Sequence, residues 1–169
     1  MSAEVDGYTK RVFPKVGPGH EIYTTGEGPN VVVLHELFGL TEPCLKLGLN
    51  LAREIPARVH LPLLFGRAKP SPLEQLKNGV GACISKEIHM LARNETSPIV
   101  VWCRALCDQL KADDPSYPGV GVVGMCLTGG FALALIANAS VRGGVVAQPS
   151  LPLFVHRASL GLADDYVLM

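Results

Sequence analysis

The chain has 169 residues and balances 15 Lys and Arg against 15 Asp and Glu. That length suits one domain, 1–169, and a composition 48% hydrophobic and only 18% charged argues against disorder. Zero formal charge removes the bulk attraction that grips nucleic acid or anionic lipid, so neither is expected as a partner.

After a β-rich start, Glu21–Thr25 forms a short strand candidate, closed by the turn cluster Gly26-Glu27-Gly28-Pro29-Asn30. Val31–His35 is apolar on both faces, as a central parallel strand is. Thr41 caps a helix with Pro43 in its first turn, and Leu45, Leu49 and Ala52 share one of its faces. Ala57–Leu63 reads as another strand, ended by Pro62. The segment Gly66–Pro72 is loop, and the helix after it is diluted by Gly79 and Gly81. A clearer helix starts with Ser97 as cap and Pro98 at the first position. In it Ile99, Trp102, Cys103, Leu106 and Leu110 recur at helical spacing, opposite Arg104, Asp108 and Lys111.

Val120–Ala137 approaches the roughly 20 apolar residues of a membrane-spanning helix. Its β-branched, glycine-rich beginning and the Gly129-Gly130 pair divide it into strand Val120–Val123, a turn, and helix Leu127–Asn138. A last strand, Gly144–Ala147, follows. Alternating strands and helices, with strands apolar on both faces, predict an α/β domain: a mostly parallel sheet flanked by helices.

The cysteines Cys44, Cys83, Cys103, Cys107 and Cys126 are odd in number and lack C-x-x-C spacing, which predicts free thiols in a reducing compartment. Acidic residues within Met1–Asp6, where a signal peptide carries bases, add to a cytoplasmic expectation. Cys103 and Cys107 lie four apart on a helix, but no cluster completes a four-ligand set, so no metal site is expected.

The chemistry concentrates in Gly124-Met125-Cys126-Leu127-Thr128-Gly129-Gly130. A buried strand enters, small residues flank one nucleophilic side chain, and a helix leaves: the context of a nucleophile elbow. A helix N-terminus there favours thiolate, and the Leu127 amide points where a tetrahedral oxyanion develops. The second segment, His35-Glu36-Leu37-Phe38-Gly39, follows the first central strand. Ligands of open α/β sheets bind beyond strand carboxyl ends, so Glu36 and Cys126 are expected to project into one crevice, with the Leu37 amide as second oxyanion donor. Competing readings make Cys126 a core cysteine, His35 a core histidine, and Glu36 a solvated acid or a partner of Arg58 or Arg67. Arg67 and Lys69 either attract an acidic substrate group or simply face solvent, the latter preferred.

Together, Val31–Gly39 (VVVLHELFG) and Gly124–Gly130 (GMCLTGG) resemble the dienelactone hydrolase family of the α/β-hydrolase superfamily, loosely from about Tyr23 to Pro149. The resemblance implies an α/β-hydrolase fold and carboxymethylenebutenolidase-like cleavage of a small-molecule ester or lactone, the type reaction being the opening of dienelactone. It implies Cys126 as nucleophile, Glu36 as the carboxylate that helps deprotonate it, and Leu37 and Leu127 as oxyanion amides. No metal or organic cofactor is implied. Two departures stand out. Thr128 occupies a position where the family usually has glycine, and its β-branch is expected to crowd the turn. The family's acid and histidine follow strands beyond Gly144–Ala147, so the domain is expected to lack those strands. His156, Asp164 and Asp165 are the only late candidates and are not assigned those roles. An unpaired Gly144–Ala147 edge would invite self-association. The alternative reading is a non-catalytic, degenerate or truncated α/β-hydrolase-like binding protein.

Overall fold

The computed structural model describes residues 5–13, 19–83 and 97–149. Six strands are present: β1 (Thr9–Phe13), β2 (His20–Thr25), β3 (Asn30–Leu34), β4 (Arg58–Pro62), β5 (Val120–Met125) and β6 (Val141–Ala147). They form one mixed sheet in the order β1-β2-β4-β3-β5-β6. The ladders β4–β3, β3–β5 and β5–β6 are parallel, and the two antiparallel ladders, β1–β2 and β2–β4, are confined to the N-terminal edge. Four helices lie among the described residues: α1 (Glu42–Glu54), α2 (Pro72–Cys83), α3 (Pro98–Asp113) and α4 (Leu127–Ile136). No helix there is long and apolar enough to cross a membrane.

The alternation of side chains along β3 explains why it is apolar throughout. Val32 and Leu34 enter a core with Trp102, Leu106 and Leu110 of α3 and Phe131 and Leu135 of α4. Val33 enters a second core on the other face with Val59 and Leu61 of β4 and Cys44 and Leu45 of α1. A strand covered on both faces has no polar side to show. α3 starts as predicted, the Ser97 hydroxyl accepting from the Ile99 amide at 3.2 Å. At α1, Thr41 occupies the cap position, but its side chain makes no capping bond.

Several boundaries shift, β5 running on to Met125 rather than Val123, and one strand is new. β6 begins at Val141, three residues before Gly144, because Gly143 and Gly144 pair with Gly121 and Val122 despite their weak strand preference. α4 ends at Ile136 rather than Asn138. β1 has no sequence signal, since Thr9 to Val12 are exposed and only Phe13 is buried. The antiparallel ladder to β2 holds it, and the Trp102 indole donates to the Phe13 carbonyl at 3.2 Å. Cys103 and Cys107 are both buried in the α3 core, where burial pushes Cys107 up to about 12 and Cys103 well above its usual range.

A buried polar chain crosses the N-terminal ends of the parallel strands. The Thr24 hydroxyl donates to His60 Nδ1 (3.0 Å), His60 Nε2 donates to Asn30 Oδ1 (2.9 Å), and Asn30 Nδ2 donates to the Leu110 carbonyl (3.3 Å). Burial holds His60 down at about 3.

Candidate active site

β5 passes directly into α4 through Cys126, which takes φ 54° and ψ −124° at the helix N-cap. A non-glycine residue in this region is strained, and such strain collects at functional sites. Three contacts hold the turn. The Cys126 amide donates to the Ala147 carbonyl of β6 at 3.0 Å, the Gly129 amide donates to the Cys126 carbonyl at 3.1 Å, and Gly124 lets α4 close onto β5. A Cβ at Gly124 would lie 2.4 Å from the Thr128 carbonyl oxygen and 2.6 Å from the Ala132 methyl. Cys126 is half-buried, whereas Cys44, Cys103 and Cys107 are buried.

The ladder between β3 and β5 pairs Leu34 with Gly124. Glu36 and Cys126 each follow these partners by two residues, so both leave from the carboxyl ends of neighbouring parallel strands. Glu36 is exposed and lines a cleft of about 880 Å³ with Phe38, Thr41, Pro43, Lys69 and Gln75. Cys126 is not among the described residues of that cleft. The Glu36 charge reaches Cys44 in the first turn of α1, whose thiol burial first and that charge second raise to about 12. Neither suggested arginine partner is available to Glu36 alone: Arg67 pairs with Glu74 at 2.9 Å and Arg58 with Asp114 at 3.9 Å. Lys69, with φ 51°, lines the cleft.

Among the described residues, no backbone carbonyl accepts from the Leu37 or the Leu127 amide. For Leu127 the reason is positional, since the first amides of a helix have no acceptor within it. Two amides at adjacent strand ends thus have no backbone carbonyl partner among the described residues.

His35 is a core histidine, one of the competing readings of the sequence. It is fully buried, its Nε2 accepts from the amides of Leu64 (2.9 Å) and Phe65 (3.4 Å), and its Nδ1 donates to the Glu36 carbonyl (2.6 Å). The two amide donors fix the tautomer and leave no nitrogen for acid–base work. The ring orients the start of the Glu36 loop instead. Burial holds His35 down at about 4. His20 has its Nδ1 at 3.0 Å from the Leu63 carbonyl, and its ring stands edge-on to Trp102. His156, Asp164 and Asp165 lie outside the described residues.

These depressed values set the pH dependence of stability. Both His35 and His60 stay neutral in the fold, while in the unfolded chain they protonate below about pH 6.5. The unfolded state then binds more protons, so stability is complete above that pH and falls as pH drops toward 4. At about pH 5 each histidine is expected to remove roughly 2 kcal/mol. Urea unfolding at about pH 7.5 and pH 5 checks this; equal midpoints would contradict it.

Thr128 corrects the expectation of a crowded turn. It is fully buried, and its hydroxyl accepts from the Met125 amide at 3.2 Å and lies 2.9 Å from the Met125 carbonyl and 3.2 Å from the Leu34 carbonyl. The turn uses this side chain rather than merely tolerating it. Gly130 is where the sequence offers spare room, for a Cβ there meets nothing within 4 Å.

No curated protein matches this sequence. Among solved structures, a candidate dienelactone hydrolase from Klebsiella pneumoniae is 17% identical, with a TM-score of 0.62 over 85% of this chain and 60% of its own. A dienelactone hydrolase-like promiscuous phosphotriesterase from metagenomic libraries is 18% identical, with a TM-score of 0.56 over 96% of this chain and 74% of its own. A poly(3-hydroxybutyrate) depolymerase from Bordetella parapertussis is 17% identical, with a TM-score of 0.52 over 95% of this chain and 61% of its own. The chain thus spans 60% of the length of the Klebsiella protein. These likenesses establish an α/β-hydrolase fold. The dienelactone hydrolase family matches residues 21–159, which include both strand-end segments, and the chain belongs to that family.

Proposed function

We propose that the protein is a hydrolase that cleaves ester or lactone bonds through Cys126. The observation that carries this reading is the strained backbone of Cys126 (φ 54°) between β5 and α4, one ladder away from the strand end that bears Glu36. A turn that holds a thiol in a costly conformation at a strand end has the form of a nucleophile elbow. Family membership and the α/β-hydrolase fold add to it.

In the proposed reaction the Cys126 sulfur, deprotonated with the help of Glu36, adds to the substrate carbonyl carbon. The Leu37 and Leu127 amides hold the resulting oxyanion. Collapse breaks the carbon–oxygen bond, and the departing alkoxide takes up a proton. Water then adds to the thioester, the carbon–sulfur bond breaks, and the carboxylic acid leaves with the thiol restored. The base that activates this water is not His35 or His60, whose two ring nitrogens are both engaged.

The test is inactivation in step with modification. Hydrolysis of a short aryl ester and a simple lactone is followed while iodoacetamide alkylates the protein, and peptide mapping reports each cysteine. Activity should fall in proportion to alkylation of half-buried Cys126, with buried Cys44, Cys103 and Cys107 reacting far later. Full alkylation of Cys126 with hydrolysis intact would remove the nucleophile from this reading.

A further inference from the structure

We infer that Thr128 is a positioning residue that sets the spacing of the two oxyanion amides, an assignment that rests on the reading of Cys126 as nucleophile. The Thr128 hydroxyl stands at the junction of the two site-bearing strands. On one side it contacts the Leu34 carbonyl at 3.2 Å, three residues before Leu37. On the other it accepts from the Met125 amide at 3.2 Å and approaches the Met125 carbonyl at 2.9 Å, two residues before Leu127. Its single proton is shared between the two carbonyls.

The hydroxyl is fully buried, so no bulk solvent competes for these bonds. It therefore links the chain that presents the Leu37 amide to the chain that presents the Leu127 amide. An oxyanion hole works only when both donors already stand at hydrogen-bond distance from the place where charge develops. A loosened link lets the two amides drift apart, and the loss falls on the transition state rather than on ground-state binding. Gly124 completes the arrangement. The absence of a Cβ there lets the first turn of α4 approach β5 closely enough for the Thr128 hydroxyl to reach across.

The test compares two reactions of the same sulfur. Acetylation of Cys126 by p-nitrophenyl acetate passes through a tetrahedral oxyanion, whereas alkylation by iodoacetamide is a direct displacement and forms none. Their rate ratio reports the oxyanion hole with thiol exposure and ionisation cancelled. Both are measured as single modifications of the full chain, followed by peptide mapping of Cys126. In Thr128→Val, which keeps the shape and removes the hydroxyl, the ratio should fall about tenfold or more, and Thr128→Ser should restore it. Thr128→Ala provides the same comparison should valine prevent folding, with circular dichroism confirming the fold of each variant. Equal falls in both rates, or an unchanged ratio in Thr128→Val or Thr128→Ala, would overturn the assignment. A wild-type ratio no higher than that of a cysteine-containing peptide would instead show that the chain has no oxyanion hole. That outcome removes the nucleophile reading, and Thr128 with it, before any variant is compared.

Discussion

Cys126→Ala is expected to lower ester hydrolysis by about three orders of magnitude or more, because residues that act as a covalent unit fail together when the nucleophile is lost. The loss should be chemical rather than structural. Alanine keeps the Cβ, so the strain at φ 54° is unchanged, and the half-buried sulfur leaves no sealed cavity. Cys126→Gly separates the two effects further. Glycine accepts positive φ at no steric cost, so this variant should be as inactive as alanine yet more stable by about 1 kcal/mol. Stability gained together with activity lost is the signature of a position kept in strain for function. Steady-state hydrolysis and urea unfolding of wild type, Cys126→Ala and Cys126→Gly check both parts. An active Cys126→Ala, or a Cys126→Gly less stable than wild type, would contradict the account.

Gly124→Ala carries the second large effect, and it acts through packing. The added methyl would sit 2.4 Å from the Thr128 carbonyl oxygen and 2.6 Å from the Ala132 methyl, and neither is the movable end of a flexible chain. Either β5 or the first turn of α4 must shift, and overpacking of this kind is expected to cost about 3 kcal/mol or more. The shift would also pull the Thr128 hydroxyl away from the Leu34 carbonyl, so acetylation of Cys126 should slow in whatever fraction remains folded. Gly130→Ala is the matched control, six residues along. Its Cβ enters open space within a helix, and exchanging glycine for alanine there should raise stability by up to about 1 kcal/mol. Urea midpoints of the two variants should therefore move in opposite directions.

Much of the architecture was legible because its causes are local. β3 reads as a buried parallel strand because both of its faces meet apolar layers, and α3 announces its start with Ser97 and Pro98. The β5–α4 turn was legible because a sharp strand-to-helix junction demands small neighbours, which Gly124 and Gly129 supply. β1 was not legible, since its pairing is set by β2 and the Trp102 indole rather than by its own exposed residues. The role of Thr128 was hidden for a related reason. Its hydroxyl partner on β3 lies far away in sequence, at Leu34, so only the fold shows that the side chain bonds rather than crowds. The Thr24–His60–Asn30 chain is equally invisible to periodicity, because three polar residues on three strands become a buried network only once the sheet forms.

The central claim is that the sulfur at the β5–α4 junction takes the acyl group. The direct measurement is to quench the protein with acid shortly after mixing with p-nitrophenyl acetate and to locate the acetyl group by peptide mass spectrometry. One acetyl group on the peptide carrying Cys126 is the predicted result. No acetyl there, or acetyl spread evenly over the five cysteines as in the unfolded chain, would contradict it.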